Sequence, residues 1–421
     1  MLTSLLDLRP SAVRNGRRLA AVRDRRVRGL VAAAYRDVAF YRRAFDAAGV
    51  RPEQIRGVAD LERLPVVEKS DLRAAELTDR LARWARPERL ISHHTSGSTG
   101  EPFQILRTRY EEYLLQAYQH RSNVLNGLRR KDARAYDVGM GFDPRWIHRW
   151  GVLPAFAVDP VNDAEGTIAE IRRRKPAAFI TRPNTLHHAA QAIERAGGLG
   201  HQLRFVLSGG EVLEPSVRRY AEHIFGCPVV DLYGAHEVAL IAFECARCRG
   251  YHVLDDSVVV EVLDGDRPVA PGEVGDAVVT ALHSYAMPFI RYRLRDRIRR
   301  PVDPPPCEWA FQTIEQPQGR RLDPLRLSDG TSVPAHRLMH AVRELEGVAR
   351  YQVRQEQPDL LHIPYVALPQ ASGGLGAEIE AALRAYVPAS VALRVEEVDD
   401  LPFNKAGKHV TVLGYDRLRK E

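Results

Sequence analysis

The chain has 421 residues, 45% of them hydrophobic and 27% charged, with 61 Lys and Arg against 54 Asp and Glu for a formal charge of +7; that suffices for a sizeable core and two or three domains. No apolar run approaches the roughly 20 residues that span a bilayer, and Met1-Leu2-Thr3-Ser4-Leu5-Leu6-Asp7 has no basic stretch ahead of a long apolar one, so the protein is expected in the cytoplasm and away from the membrane. The arginines are interleaved with acids, with no aromatic-plus-basic stripe, so nucleic acid is not an expected partner, although the positive balance suits small anions.

Residues 1 to about 75 read as helices: Arg18 to Tyr35 places Leu19, Val22, Val27, Leu30 and Val31 at helical spacing, and Tyr41 to Ala48 continues the pattern. Tyr35, Phe40 and Tyr41 are expected in the core, and Lys69, in Leu64-Pro65-Val66-Val67-Glu68-Lys69, at the surface or a helix start. Arg89 to Ser92 and Phe103 to Leu106 read as short strands around His94-Thr95-Ser96-Gly97-Ser98-Thr99-Gly100-Glu101-Pro102, a hairpin-like loop. Glycines let such a loop turn tightly and present backbone N–H groups to an anion, and the hydroxyls add donors, which is phosphate-cradling chemistry. The Gly-x4-Gly-Lys-Ser/Thr spacing of the P-loop is absent, and a Ser/Gly run taken alone reads equally well as a surface turn.

Arg109 to Asn126 predicts a helix and Ala135 to Met140 begins a strand. Strands at Ala177–Thr181, Leu203–Ser208 and Pro228–Tyr233 then alternate with helices at Thr185–Ala196 and Pro215–Phe225, the pattern of a parallel sheet with crossover helices. Ligands on such sheets gather at the C-terminal strand ends, which points to Ser208-Gly209-Gly210-Glu211 and Tyr233-Gly234. From Val258 to Leu282, breaks at Asp264-Gly265-Asp266 and Pro271-Gly272-Glu273 read as hairpins of a small β-barrel. Pro301 to Pro306 and Gln316 to Gly319 approach a boundary. Beyond it, helices at Ala335–Leu345 and Leu375–Tyr386 and strands at Val348–Val353, His362–Leu368 and His409–Val412 make a small α+β domain.

Cys245-x-x-Cys248-x-x-x-His252 with the distant Cys307 has the donor set of a structural tetrahedral zinc site; unrelated reduced thiols are the alternative. Cys227 reads as a small buried hydrophobe.

Four stretches, in order, resemble motifs of the adenylate-forming superfamily of acyl-CoA and aryl-CoA synthetases. Thr95 to Pro102 is similar to its Ser/Thr-Ser-Gly-Ser/Thr-Thr-Gly-x-Pro, and Tyr233-Gly234-Ala235-His236-Glu237 to its Tyr-Gly-x-x-Glu. Arg291-Tyr292-Arg293-Leu294-Arg295-Asp296 is similar to Arg-Tyr-Arg-x-x-Asp, and Pro402 to Lys408 to Pro-x4-Gly-Lys. The short length, Ser208 to Glu211 and the Glu244-Cys245…His252 segment resemble the phenylacetate-CoA ligase branch most. The resemblance implies an α/β protein. A large N-terminal domain (1–322) would hold parallel-type sheets, flanking helices and the small barrel, and a small mobile α+β domain (323–421) would turn about Asp323.

It also implies the chemistry: an aromatic acid is activated by ATP as an acyl adenylate, pyrophosphate leaves, and the acyl group passes to CoA, or to a carrier-protein thiol or an amine. A non-catalytic nucleotide-binding relative is the rival of another class. Thr95, Ser96, Gly97, Ser98, Thr99 and Gly100 would hold the phosphates. Gly209, Gly210, Glu211, Tyr233 and Gly234 would frame adenine, with core packing an alternative for Tyr233; Asp296 would take the ribose hydroxyls, an ion pair with Arg293 or Arg295 being the alternative, and Arg321 would contact ATP. Glu237 would bind Mg²⁺, or be a helix-start acid. Lys408, not Lys405, would reach the α-phosphate. Gly139, Met140, Phe142, Ala235 and His236 would line the acid pocket, Cys245, Cys248, His252 and Cys307 would hold zinc, and the protein would be a monomer or homodimer. Phe103 stands where many members of the superfamily carry a lysine.

Overall fold

The computed structural model describes residues 10–94, 103–140, 154–319, 324–371, 373–402 and 409–418. Two compact units partition the chain, Met1–Arg129 with Val230–Arg320 and Arg130–Val229 with Arg321–Glu421.

In the first unit the long helix Gly16–Asp37 starts where Asn15 accepts from the Arg18 N–H, and it buries Leu19, Val22, Val27, Leu30 and Val31. Its neighbour Ala39–Ala47 buries Tyr41 fully; the Tyr41 hydroxyl donates to Pro288 O and accepts from Ile290 N, both at 3.0 Å. Tyr35 and Phe40, expected in the core, are only half-buried, and the Tyr35 hydroxyl reaches the Asp46 carboxylate. Ile91–His94 and Gln104–Arg107 pair antiparallel, Ile91 opposite Arg107 and His94 opposite Gln104, the hairpin that the sequence predicts. A capping box opens the helix Arg109–Leu125: Thr108 Oγ1 accepts from Glu111 N, and the Glu111 carboxylate accepts from Thr108 N.

The same unit holds the antiparallel run Val229–Ala235, Ala239–Glu244, Tyr251–Val253 and Thr313–Ile314. The hairpins expected to form a barrel form a four-stranded antiparallel half-barrel sheet in the order Arg267–Pro268, Val258–Asp264, Val274–Ala281, Tyr292–Arg299.

The second unit contains parallel strands ordered Phe205–Gly209, Ala178–Thr181, Arg134–Asp137, Ala155–Val158, with helices Ala164–Arg174, Pro183–Arg195 and Pro215–Phe225. The strand expected from Ala135 to Met140 stops at Asp137, whose carboxylate captures the Gly139 N–H at 2.8 Å and bends Val138–Met140 into a 3₁₀ turn. Phe179, Leu186, Val206, Val217 and Phe225 form one core with Ala349, Val366, Leu368 and Leu401 of the C-terminal stretch. There Leu360–Ala367 pairs antiparallel with Val348–Tyr351 and Val353–Gln357 and parallel with Ala392–Glu397. Helices Ala335–Arg343 and Leu375–Arg384 bury Leu338, Val342, Ile379 and Leu383 in the accompanying core. The strand expected at His409–Val412 is the short Val412–Leu413, and His409 Nε2 donates to Tyr351 O at 2.7 Å. No described helix is long and apolar enough to cross a membrane.

Candidate active site

Glu237 sits in a tight hairpin, not at a helix start. The strands Val229–Ala235 and Ala239–Glu244 are joined by His236-Glu237-Val238; Val238 N donates to Ala235 O at 3.1 Å, and Ala239 takes the left-handed conformation that closes such three-residue loops, φ 62°. Gly234 has to be glycine, because a Cβ there would lie 2.7 Å from the Ala239 carbonyl oxygen. The turn delivers a buried carboxylate: Glu237 Oε1 lies 3.5 Å from Lys69 Nζ and accepts from the Tyr292 hydroxyl at 3.2 Å.

The strand Tyr292–Arg299 separates the functions of its motif. Arg291, buried and left-handed at φ 47°, grips Glu261 through Nε and Nη2, the latter at 2.8 Å, and donates to the Leu64 carbonyl at 2.5 Å. It ties the half-barrel to the segment before Lys69 and is a structural arginine. Tyr292 faces Glu237. Arg293 pairs with Glu68 at 2.7 Å and Asp276 at 3.1 Å, and Arg295 lies 3.6 Å from Glu68. Asp296 accepts from the Tyr233 hydroxyl at 2.9 Å, and the Tyr233 ring is itself buried.

In the second unit the expected ligand-side residues gather at the C-terminal strand ends. Gly209 closes Phe205–Gly209, Gly210 follows exposed with φ 90°, and Glu211 accepts from Asn184 Nδ2 at 3.3 Å. On the neighbouring strands, buried Asp137 accepts from Thr181 Oγ1 at 3.2 Å and lies 3.6 Å from Arg182 Nε, while the Arg182 guanidinium lies over Gly139, next to Met140. Thr95, Ser96, Gly97, Ser98, Thr99, Gly100, Phe142, Arg321, Asp323 and Lys408 lie outside the described residues.

The Cys/His cluster assembles as its spacing predicts. One donor atom each from Cys245, Cys248, His252 and Cys307 lies within 4.8 Å of all the others. Cys248 Sγ is 3.3 Å from His252 Nε2, and Cys307 Sγ 3.9 Å from Cys245 Sγ. Zn–S bonds of about 2.3 Å imply tetrahedral S···S edges of about 3.8 Å, so three thiols and an imidazole at this spacing fit zinc.

Residues 14–283 match the family described as AMP-binding enzyme. The chain belongs to that family. It is 29% identical over 286 residues to phenylacetate-coenzyme A ligase of Thermus thermophilus, covering 65% of this chain and 64% of that one, so it spans just under two thirds of that relative. It is 30% identical over 332 residues to phenylacetate-coenzyme A ligase of Aromatoleum evansii, covering 76% and 74%. Among solved structures, 2-hydroxyisobutyryl-CoA ligase in the postadenylation state with R3-HIB-AMP shares the fold at TM-score 0.74 and 21% identity, over 95% of this chain and 92% of that one. An anthranilate CoA ligase in complex with anthranoyl-AMP does so at TM-score 0.56 and 17% identity, over 86% and 75%.

In this AMP-binding enzyme, Lys69 is the site residue that sequence reading missed. It does begin a helix, Lys69–Ala74, but its ammonium points at Glu237 and lies 5.5 Å from the Phe103 ring centroid, which Arg80 also covers at 5.1 Å. A contact across 168 residues leaves no mark in local spacing, and Lys69 is one of three site residues missed for that reason or for want of a motif. Arg182 and Asp137 were missed too: Arg182 follows the predicted strand Ala177–Thr181, and Asp137 was read as inside a strand that in fact ends there.

Proposed function

We propose that this enzyme activates an aromatic carboxylic acid with ATP, releasing pyrophosphate, and then transfers the acyl group to CoA. The observation that carries the reading is the Glu237 turn, where a buried carboxylate is set beside a lysine and a tyrosine hydroxyl. The family membership and the phenylacetate-coenzyme A ligase relatives support it.

In the first half-reaction a carboxylate oxygen of the acid forms a bond to the α-phosphorus as the Pα–O bond to pyrophosphate breaks. Two anions meet and a third leaves, so the protein has to gather positive charge and fixed donors. Thr95, Ser96, Ser98 and Thr99 hold the β- and γ-phosphates through hydroxyl and backbone donors. Lys69 adds a cation, and Lys408 brings another to the α-phosphate. Glu237 would be the ligand for Mg²⁺, which would neutralise phosphate charge; one hard carboxylate suits an ion that takes few protein ligands. Asp296, oriented by the Tyr233 hydroxyl, accepts from the ribose, and Gly209, Gly210 and Glu211 border adenine. In the second half-reaction the CoA sulfur bonds to the acyl carbon and AMP leaves. Gly139, Met140, Ala235 and His236 flank the acid; 1–322 and 323–421 are the fixed and mobile domains, hinged at Asp323. Cys245, Cys248, His252 and Cys307 would hold zinc, which would staple the Cys245–His252 loop to the segment carrying Cys307 and supply no chemistry to the reaction.

The test is pyrophosphate release from ATP and Mg²⁺ with benzoic, phenylacetic and fatty acids, each with and without CoA. Release with an aromatic acid that rises on adding CoA supports the proposal. Release indifferent to CoA redirects the second step to a carrier protein or an amine. Wild-type turnover in Lys408→Ala would sink the adenylation role.

A further inference from the structure

The side chain of Arg107 joins both strands of the phosphate-loop hairpin to the Glu237 turn. Arg107 ends the strand Gln104–Arg107, and its side chain is 7% exposed. One terminal nitrogen donates to the backbone carbonyl of His236, the residue directly before Glu237. The other lies 3.4 Å from Glu112 Oε2. That same oxygen is 3.0 Å from His93 Nε2 on the opposite strand, and Gln116 Nε2 holds Oε1 at 3.1 Å. The register explains the convergence. Ile91 is opposite Arg107, so His93 lies diagonally across on the same face, and Glu112 rises between them from the first turn of Arg109–Leu125. A buried guanidinium costs several kcal/mol unless its donors are matched. Here the two terminal nitrogens are matched by one carboxylate and by one carbonyl of the turn that carries the proposed metal ligand, while the buried Nε has no hydrogen-bond partner.

We propose that Arg107 is a positioning residue for Mg·ATP, holding the Glu237 turn in fixed register with the hairpin that carries the phosphate loop. The proposal rests on the metal role assigned to Glu237 above. Arg107 itself touches neither nucleotide nor metal. It restricts where Glu237 can be, so its loss is felt in the metal-dependent part of nucleotide affinity.

The experiment is equilibrium binding of ATP to the full chain by calorimetry, in EDTA and in Mg²⁺, for wild type, Arg107→Met, Arg107→Lys and Glu112→Gln. Arg107→Met should lose about tenfold of the Mg²⁺-dependent gain in ATP affinity while metal-free affinity stays within about twofold. Arg107→Lys, which keeps the charge but not the two-armed donor, should recover part of it. Glu112→Gln tests the same link with little change of shape if Arg107→Met does not fold. A folded Arg107→Met or Glu112→Gln with the wild-type gain overturns the proposal, and failure of both to fold assigns Arg107 to stability alone and overturns it too. No Mg²⁺ gain in the wild type removes the metal role of Glu237 and the proposal with it. A wild-type gain without pyrophosphate release from any acid would sink the adenylation reading and leave the positioning role standing.

Discussion

Lys69 Nζ lies 3.5 Å from Glu237 Oε1, and the Tyr292 hydroxyl donates to the same oxygen at 3.2 Å. The three groups come from a helix start, a hairpin turn and a half-barrel strand, all within one compact unit. A lysine that shares a carboxylate with the proposed metal site is placed to neutralise phosphate charge as pyrophosphate departs. Lys69→Met is therefore expected to slow pyrophosphate release by about 10² to 10³, the usual cost of losing one such group, with the unfolding midpoint little changed. Tyr292→Phe, which removes the hydroxyl's hydrogen bond to Glu237, should cost about tenfold or less. Rates measured at saturating ATP and acid decide both.

Arg291 and Asp296 are five residues apart in one motif, and their substitutions should separate stability from binding. Arg291→Met leaves Glu261 and two backbone carbonyls without their donor in a buried setting, which should cost about 3 to 5 kcal/mol. Asp296→Asn keeps the shape and should weaken ATP binding with stability nearly unchanged. Denaturant unfolding alongside ATP titration tests the pair; equal loss of stability in both would refute the division.

Carefully purified protein is expected to carry about one zinc per chain, because a Cys₃His set with one donor atom from each residue within 4.8 Å of the others is already assembled. Stripping it with a strong chelator should lower the unfolding midpoint, and Cys248→Ser should reproduce the shift. Elemental analysis showing no zinc, with chelation silent in thermal unfolding, would remove the metal.

His187 is 1% exposed and neither ring nitrogen has a hydrogen-bond partner; burial first, then His188 and Arg350, pushes it down to about 3. Burial likewise pushes His283 to about 3 and His409 to about 4. The unfolded chain takes up these protons near pH 6.5, so below that pH the unfolded state binds more protons and each histidine erodes stability as the pH falls. Burial raises Asp255 to about 6 and Glu214 to about 7, and these act in the opposite sense, the folded state losing stability as the pH rises through them. The wild-type profile should thus be shallow. His187→Leu should expose one side of the balance, its advantage over wild type growing by about 2 kcal/mol from pH 6.5 to pH 5. Urea unfolding at the two values measures it, and a constant difference would show that His187 takes up its proton alike in the folded and unfolded states.

Local pattern was enough for much of the architecture. Alternating apolar runs placed the parallel strands Arg134–Asp137, Ala178–Thr181 and Phe205–Gly209 but not Ala155–Val158, helical spacing placed Gly16–Asp37 and Pro215–Phe225, and the run from Thr95 to Pro102 was flanked by strands that do pair. The Cys245 to His252 spacing was legible for the same reason, since a metal knuckle is built by neighbours in the chain; Glu237 was reached through the resemblance of its motif, and its hairpin turn was not foreseen. Cys307 was the exception, a distant cysteine whose place in the cluster no local spacing marks.

What the linear pattern does not carry is the contact between distant elements. Helix propensity could put Lys69 at a helix start but not aim it at a carboxylate 168 residues away. Nothing in Arg-Tyr-Arg-x-x-Asp separates the arginine that braces the half-barrel from the tyrosine that faces Glu237. Arg107 lay just past a predicted strand, with nothing in the sequence to single it out. Periodicity and motifs determined which elements form and which turns they make. Tertiary packing alone decided which charges meet, because burial of a charge is tolerated only where another element brings its partner.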